Sequence, residues 1–344
     1  MNRPMNRFLI AGYGGKGARH AQDIRESGFA EVAGILETEP GRLAEARRDG
    51  FFASDRLEEV MARDADCALV VTPNDTHAAL ARALLESGRH VLVEKPAVRN
   101  IGELREMYAA ADRSGRLLSV CMNRRWDPDF LAVKRAVDGG TLGEVLCLES
   151  RVHGSRGIPE GWRREASRGG GMLYDWGVHL VDQALASFDF RMPERVRCEL
   201  SHALDYDADD GFRLEMTFER GVRAYIEVGT CNFIAMPRFY VCGRRGSALI
   251  DDWRGPIRLA ECLAWKEPEG GARLMSRRDA ATVREFCRDL AKPRPGEVLR
   301  NFCFAVRGEE PLQVRRDEVE RVTRVIDAAF ASAASGLPVA VEEA

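Results

Sequence analysis

A glycine-rich turn between an apolar run and a helical pattern most constrains how this chain can fold. Residues 8–18 read FLIAGYGGKGA, in which Gly12, Gly14 and Gly17 fit the pattern G-x-G-x-x-G. Glycines so placed permit a tight turn, close approach of the backbone to a pyrophosphate, and close packing of helix on strand. Glu37 stands twenty residues beyond Gly17, where such units carry an acid that binds ribose hydroxyls. The sequence therefore predicts a dinucleotide-binding unit near the N-terminus.

Strand and helix patterns then alternate through the first third of the chain. Apolar runs such as DCALVVTP (66–73) and RHVLVEKP (89–96) are separated by helical stretches such as HAALARALLESG (77–88). Alternation of this kind predicts a parallel sheet with right-handed crossovers, and therefore an α/β fold.

The pattern changes after Met122, where we place the domain boundary. Apolar and polar residues alternate over 212–219 and again over 222–228, with a turn at Arg220–Gly221 between them. Period-two runs joined by a short turn indicate antiparallel strands with one buried face. A helical apolar stripe from Val319 to Ala333 precedes a glycine and a proline that end it.

Bulk composition narrows the class of protein. The chain has 344 residues, enough for two domains, and a formal net charge of −3, which argues against a nucleic-acid surface. The longest early apolar run, residues 8–11, is too short for a signal peptide or a membrane span. Nine cysteines occur without a C-x-x-C pair, which is typical of reduced, buried thiols and gives no zinc-site spacing. We expect a cytoplasmic protein without a metal, a nucleic-acid partner or a membrane partner.

The cofactor expected from the glycine turn is NAD rather than NADP. Glu37 can accept hydrogen bonds from both ribose hydroxyls of NAD, and it would repel the 2′-phosphate of NADP. Arg42 is close enough in sequence to offset part of that repulsion, and Glu37 could alternatively be a surface acid. Further candidates for cofactor contact follow the predicted strands, although His77 could be only the first turn of a helix. The predicted cofactor-binding residues are Gly12, Tyr13, Gly14, Gly15, Lys16, Gly17, Glu37, Thr72, Pro73, Asn74, His77, Glu94 and Lys95.

A second glycine turn precedes an apolar helix with three ionisable residues. Within GGGMLYDWGVHLVDQALASF (169–188), Asp175, His179 and Asp182 fall in one arc of a helix at about 100° per residue. They could be a helix cap with a satisfied core histidine, a metal site, or acid–base machinery. The stretch alone leaves all three interpretations open.

Several short motifs occur in a characteristic order along the chain. TPNDTH (72–77), EKP (94–96), DGGTLGEV (138–145) and GGGMLYDWGVHLVD (169–182) together resemble the Gfo/Idh/MocA oxidoreductases, which include glucose–fructose oxidoreductase and inositol dehydrogenases. The resemblance runs from Phe8 to the closing SGLPVAV and looks closest to the scyllo-inositol dehydrogenase branch. That branch favours NADP and would not be expected to carry an acid where Glu37 stands.

The resemblance implies an architecture and an assembly. It predicts an N-terminal Rossmann domain over residues 1–122 and an α/β domain with a large, mostly antiparallel open sheet over 123–344. The C-terminal helix is a candidate to pack back on the first domain. Pairing through the open face of the sheet implies a homodimer or homotetramer.

The resemblance also assigns Lys95, Asp175 and His179 to catalysis. Dehydrogenation of a secondary alcohol needs a base for the hydroxyl proton, for which His179 is the candidate, and a charge such as that of Lys95 to stabilise developing alkoxide. Asp175 would orient His179 or the substrate, and Asp182 could be a supporting or a purely structural residue. Asn123, Arg124 and Trp126 could alternatively serve domain packing. The predicted substrate-binding residues are Lys95, Asn123, Arg124, Trp126, Trp162, Arg163, Asp175 and His179.

These expectations favour an NAD-dependent dehydrogenase of a cyclic polyol or sugar. An NAD-assisted glycosidase, which oxidises a ring carbon transiently and regains the hydride, is the alternative among hydrolases. A catalytically silent sugar or NAD sensor is disfavoured, because a sensor has no need of Lys95, Asp175 and His179.

Overall fold

The computed structural model describes residues 5–265, 278 and 280–342. Within them the chain divides into two compact units. The first comprises the described parts of Met1–Asn123, Pro159–Val178 and Pro295–Asp327. The second comprises those of Arg124–Ile158, His179–Arg294 and Ala328–Ala344.

The first unit is built on a parallel sheet of six strands in the order β3-β2-β1-β4-β5-β6. This is the order of a doubly wound dinucleotide-binding fold. The central strands are almost entirely apolar because helices flank both faces of such sheets, and Leu69, Val70, Val91 and Leu92 have no exposed surface. The strands are β1 (Asn6–Ala11), β2 (Ala30–Leu36), β3 (Ala53–Ser54), β4 (Cys67–Val70), β5 (His90–Val93) and β6 (Leu118–Val120).

Helices follow the strands in the predicted alternation. The helices are α1 (Gly15–Ser27), α2 (Pro40–Arg48), α3 (Leu57–Met61), α4 (His77–Glu86) and α5 (Ile101–Ser114). Two more helices follow later in the chain, α8 (Glu297–Val306) and α9 (Arg316–Ser335). The ring of Phe302 in α8 packs 6.2 Å from that of Phe8 in β1, and Asp327 of α9 accepts a hydrogen bond of 2.9 Å from the amide of Ile101. The C-terminal part of the chain thus contributes to the core of the first unit.

The second unit contains a sheet of nine strands within the described residues, in the order β14-β13-β12-β11-β7-β10-β9-β8-β15. Among the described strands of this sheet, only β10 and β7 pair in parallel, so the sheet is mostly antiparallel and the predicted fold class is confirmed. The strands are β7 (Val145–His153), β8 (Arg195–Ser201), β9 (Gly211–Thr217), β10 (Arg223–Gly229), β11 (Phe239–Gly243), β12 (Gly246–Ile250), β13 (Ile257–Cys262), β14 (Val283–Arg288) and β15 (Val339–Ala340). Its helices are α6 (Pro128–Asp138) and α7 (Val178–Ser187), the latter beginning at the last residue of the Pro159–Val178 stretch.

The predicted hairpin of β9 and β10 carries a charged face. Phe212, Leu214 and other apolar side chains of these strands are buried. On the opposite face Arg213 lies 3.1 Å from Glu227, and Arg223 lies 2.9 Å from Glu215. Alternation thus separates a buried apolar face from a face of paired opposite charges.

The helix after the second glycine turn differs from the sequence-based expectation. Leu173–Gly177 forms a π-helical turn, and α-helical geometry begins only at Val178. Hydrogen bonds in a π-turn run from i to i+5, so successive side chains are not separated by the α-helical angle. Asp175 therefore lies inside the π-turn, and only His179 and Asp182 lie on the regular α-helix for which the arc was predicted.

None of the helices in the described ranges combines the length and the apolar character that crossing a membrane would require.

Candidate active site

The glycine turn after β1 forms a close-packed cradle. Gly12 has a φ of +102°, and a Cβ there would lie 2.7 Å from the carbonyl oxygen of Val71 at the end of β4. A Cβ on Gly17 would lie 2.2 Å from the carbonyl oxygen of Gly12, so helix and turn approach too closely for any other residue. A Cβ on Gly15, in contrast, would meet no atom within 4 Å other than those of its chain neighbours and of the adjacent helix backbone. Two glycines are thus required by packing, and the outer side of the turn is open.

The N-terminus of α1 fits the pyrophosphate of a dinucleotide. Its N-cap, Gly14, offers no side-chain cap, and the first turn of the helix contains no acid. The positive end of the helix and its first amides are therefore available to an anion. The side chain of Lys16 is about half exposed (47%) beside this turn.

Glu37 ends β2 and is bound to the glycine turn. Its Oε2 accepts a hydrogen bond of 2.7 Å from the amide of Tyr13, and its Oε1 accepts one of 2.9 Å from the amide of Glu39. Glu37 is only 7% exposed, which excludes the alternative of a surface acid. Each carboxylate oxygen can accept a further bond, so the capacity to bind a ribose diol remains.

Two neighbours complete this edge of the site. The carboxylate of Glu39 caps α2 by accepting hydrogen bonds from the amides of Gly41 (2.9 Å) and Arg42 (2.8 Å), and these bonds lower the pKa of Glu39. The guanidinium of Arg42 lies over the turn, 3.6 Å from where a Cβ of Gly14 would be. The hydroxyl of Tyr13 donates to Asp49 at 2.6 Å, and burial together with this carboxylate raises the pKa of Tyr13.

Lys95 follows β5 and is paired with Asp175. The Nζ of Lys95 donates to the Oδ1 of Asp175 at 2.6 Å and to its main-chain carbonyl at 2.7 Å. The side chain of Lys95 is 16% exposed and that of Asp175 is 27% exposed, so the pair is partly accessible to solvent. The structure thus brings together two of the three residues predicted for catalysis.

Hydrogen bonds fix the segment that leads to Asp175. The side-chain amide of Asn74 donates to the carbonyl of Gly169 at 2.7 Å. The amide of Gly171 donates to the carbonyl of Arg163 at 3.0 Å. The guanidinium of Arg163 stacks over the ring of Trp162, 4.5 Å from its centroid. The predicted Trp162–Arg163 pair is therefore anchored to the second glycine turn.

Glu94 is buried in a network that sequence reasoning did not foresee. Its Oε1 lies 2.7 Å from the Nε2 of His20 and 3.7 Å from the Nζ of Lys16, and its Oε2 accepts a bond of 3.1 Å from the amide of Lys95. Burial raises the pKa of Glu94, but the hydrogen bond from His20 and the charges of His20, Lys16 and Lys95 outweigh it, and the pKa falls to about 2. The sequence signal for His20 was its helical spacing from Gly17, Ala21 and Ile24, which are buried with it in α1, but its partner is 74 residues away.

Cys121 lies against the same network. The candidate ligand atoms of His20, Glu94 and Cys121 lie within 4.8 Å of one another, a spacing compatible with metal binding. The Lys16 ammonium, 3.7 Å from Glu94, opposes a second cation there, and burial raises the pKa of the Cys121 thiol well above its ordinary value. The chemistry of this group favours a hydrogen-bonded network over a metal site.

His77 starts α4 and faces the main chain with both ring nitrogens. Its Nδ1 lies 2.8 Å from the carbonyl oxygen of Pro96, and its Nε2 lies 2.8 Å from that of Thr72. The residue is 1% exposed, and burial lowers its pKa against the effect of the two carbonyls. The hydroxyl of Thr72 is within 2.6 Å of that of Thr76, so this turn is also held internally. His77 therefore links the turns that follow β4 and β5.

The other predicted residues belong to the second unit or to its border. Asn123 is the last residue of the first stretch of the first unit, and Arg124 and Trp126 continue the same 3-10 turn in the second. Arg124 donates to Asp127 at 2.7 Å, and its carbonyl accepts a bond of 2.8 Å from the side chain of Gln183. His179, in α7, is 4% exposed.

Asp182 has a structural partner within the second unit. Arg125 donates to both of its carboxylate oxygens at 2.6–3.1 Å, and the side chains are 11% and 2% exposed respectively. The charge of Asp182 is therefore matched by the guanidinium of Arg125.

Comparison with known proteins defines the class. A sequence model described as an oxidoreductase family with an NAD-binding Rossmann fold matches residues 6–122, and one described as the GFO/IDH/MocA C-terminal domain matches residues 130–249. The fold and the glycine turn are thus those of an NAD-binding Rossmann oxidoreductase. The chain belongs to the Gfo/Idh/MocA family, as its motifs predicted.

Individual relatives agree with this assignment. The oxidoreductase YdgJ of Escherichia coli K12 is 38% identical over 185 residues, which is about half of each protein (53% and 52%). The scyllo-inositol 2-dehydrogenase (NADP(+)) IolW of Bacillus subtilis is 29% identical over 316 residues, covering 85% of this chain and 84% of IolW. The solved structure of an NAD-binding protein from Listeria innocua is 36% identical, covers 97% of this chain and 96% of that one, and superposes with a TM-score of 0.89.

Proposed function

We propose that this protein is an NAD-dependent dehydrogenase that transfers hydride between a secondary alcohol of a cyclic polyol or sugar and the nicotinamide. The observation that carries the proposal is the partly accessible Lys95–Asp175 pair at the carboxyl edge of the parallel sheet. Ligands of doubly wound folds bind at that edge. Two relatives support the substrate class by name, IolW and the inositol 2-dehydrogenase of Rhizobium meliloti, each 29% identical over its alignment.

Residues of the first unit would hold the dinucleotide. The open N-terminus of α1 would bind the pyrophosphate, and Glu37 would accept hydrogen bonds from the adenosine ribose. When bound, NAD supplies the hydride acceptor. The carboxylates of Glu37 and Glu39 favour NAD, because a 2′-phosphate at the end of β2 would meet one negative charge and find the first amides of α2 already capped by the other.

Lys95 and Asp175 would act on the substrate hydroxyl. The carboxylate of Asp175 fixes the position of the Lys95 ammonium by a contact of 2.6 Å, and a fixed ammonium can stabilise the negative charge that develops on the alcohol oxygen. His179 would accept the hydroxyl proton, as an imidazole suits proton transfer near neutral pH. Trp162 and Arg163 would contribute to binding of a hydroxyl-rich ligand, because a guanidinium stacked on an aromatic ring presents both donors and an apolar surface.

A panel of substrates tests the proposal. Purified protein with NAD is mixed with inositols, aldoses and glycosides, and NADH is followed by absorbance with Lys95→Ala as the control. Net NADH from an inositol or a sugar, absent with the control, supports the proposal. Cleavage of a glycoside without net NADH would identify the NAD-assisted glycosidase instead. Binding of a sugar without either reaction would identify a sensor.

We also propose that the chain forms a homo-oligomer through the charged face of β9 and β10. The pairs Arg213–Glu227 and Arg223–Glu215 make this face rich in both signs of charge, which suits pairing with a second copy of itself. Light scattering after chromatography at low and high salt tests this assembly, and a monomer at every concentration would exclude it.

A further inference from the structure

We infer that His20 and His77 are positioning residues for Lys95, holding its main chain from both sides so that its ammonium stays on Asp175. The inference rests on the proposed catalytic role of Lys95. The residues before and after Lys95, Glu94 and Pro96, are each within hydrogen-bond distance of a buried imidazole.

The contact on the N-terminal side runs through a carboxylate. Glu94 bridges the Nε2 of His20, at 2.7 Å, and the amide of Lys95, at 3.1 Å, with its two oxygens. His20 and Glu94 are 7% and 6% exposed, so the imidazole, and not bulk solvent, is the partner of this oxygen. Without His20 the nearest charged partner of this oxygen is Lys16 at 3.7 Å, and the carboxylate must turn to reach it. The bond to the amide of Lys95 would then weaken.

The contact on the C-terminal side runs directly to the main chain. The Nδ1 of His77 lies 2.8 Å from the carbonyl oxygen of Pro96, and the Nε2 lies 2.8 Å from that of Thr72. The ring therefore fastens the turn carrying Lys95 to the turn after β4. A neutral imidazole can donate only one of these bonds and the imidazolium can donate both. In either form the ring fills the space between the two carbonyls.

The position of the Lys95 ammonium depends on these contacts to the main chain around Lys95. The Nζ of Lys95 makes two short contacts with Asp175, at 2.6 and 2.7 Å, and a shift of about 1 Å in a reacting group can cost on the order of 100-fold in rate. A lysine side chain is flexible, so the direction of its ammonium is set by its partners and by the main chain that carries it.

The test compares three histidines of the same unit. His20→Ala, His77→Ala and their Gln counterparts are made with His90→Ala as the matched control. His90 lies in β5 and accepts a bond of 3.0 Å from the amide of Leu117, but it is not next to Lys95 in sequence. For each variant we would measure melting temperature, NAD affinity and single-turnover hydride transfer with the substrate found in the panel.

We expect His20→Ala and His77→Ala to slow hydride transfer by about 10- to 100-fold, with less than about a threefold change in the dissociation constant of NAD. The Gln variants should recover part of the rate, because an amide can still donate to a carboxylate or a carbonyl. His90→Ala should lower the melting temperature by a similar amount and leave hydride transfer within about twofold of the parent. Rates that fall no more than in His90→Ala would overturn the inference.

A second measurement does not depend on activity. The rate at which an amine-specific acylating reagent labels Lys95, read by mass spectrometry against Lys134 as an internal reference, reports how firmly the ammonium is held. Labelling should rise several-fold in His20→Ala and His77→Ala and stay unchanged in His90→Ala. Unchanged labelling in all three would overturn the inference. If labelling increases in the two histidine variants while Lys95→Ala transfers hydride normally, the positioning of Lys95 by the histidines is upheld. The proposed function is then refuted instead.

Discussion

The ammonium nitrogen of Lys95 lies 2.6 Å from the Oδ1 of Asp175 and 2.7 Å from the main-chain carbonyl oxygen of the same residue. One residue therefore supplies both a charge and a dipole to the ammonium. The contact with the carbonyl oxygen depends on the backbone of residues 173–177, whereas the contact with Oδ1 depends on the side chain of Asp175. Substitution of Asp175 can therefore remove the carboxylate charge and leave the carbonyl dipole in place.

Asp175→Asn is expected to depress hydride transfer by about 100-fold while the melting temperature stays within a few degrees of the parent. The amide keeps the shape of the carboxylate but no longer stabilises the ammonium, and loss of such electrostatic help is of this size. Lys95→Ala and His179→Ala should depress it at least as much and leave NAD affinity little changed. Single-turnover kinetics and thermal melting on the same preparations check this. A destabilised His179→Ala protein with near-normal hydride transfer would end the claim that His179 is the base.

NAD should raise the melting temperature more than NADP does, because a ligand stabilises only the form that binds it. Glu37→Ser should narrow or reverse this difference. It should also lower the stability of the protein without cofactor by about 1–3 kcal/mol, because the buried amide of Tyr13 loses its acceptor. Glu37→Gln retains an acceptor and is the matched control for that loss. Equal stabilisation of the unmodified protein by both cofactors would contradict the role of Glu37.

Asp182→Asn should destabilise the protein by about 3–5 kcal/mol, the usual consequence of removing one member of a buried ion pair. Arg125 would remain 11% exposed opposite a neutral amide. Denaturant unfolding of Asp182→Asn, Arg125→Met and the double variant measures the coupling. If the loss of unfolding free energy in the double variant equals the sum of the losses in the two single variants, the bidentate pair does not stabilise the second unit.

Glu94 should make the stability of the protein fall with acidification. Its pKa is about 2 in the folded protein, against an ordinary value of 4.5. The folded state therefore holds the carboxylate deprotonated, and the resulting stabilisation of about 3 kcal/mol is present above pH 4.5 and lost as the pH falls towards 2. Unfolding free energies between pH 3 and pH 5.5 should show a steeper rise in the parent than in Glu94→Gln. Parallel curves for the two proteins would contradict the lowered pKa.

Local patterns predicted much of the fold and part of the site. The glycine turn, the strand–helix alternation and the β9–β10 hairpin depend on residues close in sequence, and each has the predicted form. The environment of Glu94 could not be predicted this way, since its partner His20 is 74 residues distant and only the packing of α1 on the sheet brings them together. The partner of Asp182, 57 residues away in Arg125, is of the same kind. Helical periodicity did not predict the π-turn that contains Asp175, because such a turn departs from the 100° spacing on which that periodicity rests.

The π-turn at Leu173–Gly177 has a consequence for how such a site can arise and be altered. A π-turn holds one residue more than the α-helical path it replaces, so a change of one residue in length interconverts the two. Removing one residue from this stretch would restore regular α-helix and swing the Asp175 side chain by about 100° about the helix axis. No point substitution has that effect. A chain without the extra residue would carry lysine and aspartate in the same sequence motifs and lack the ion pair, so the pair depends on the length of this stretch as well as on the identity of its residues.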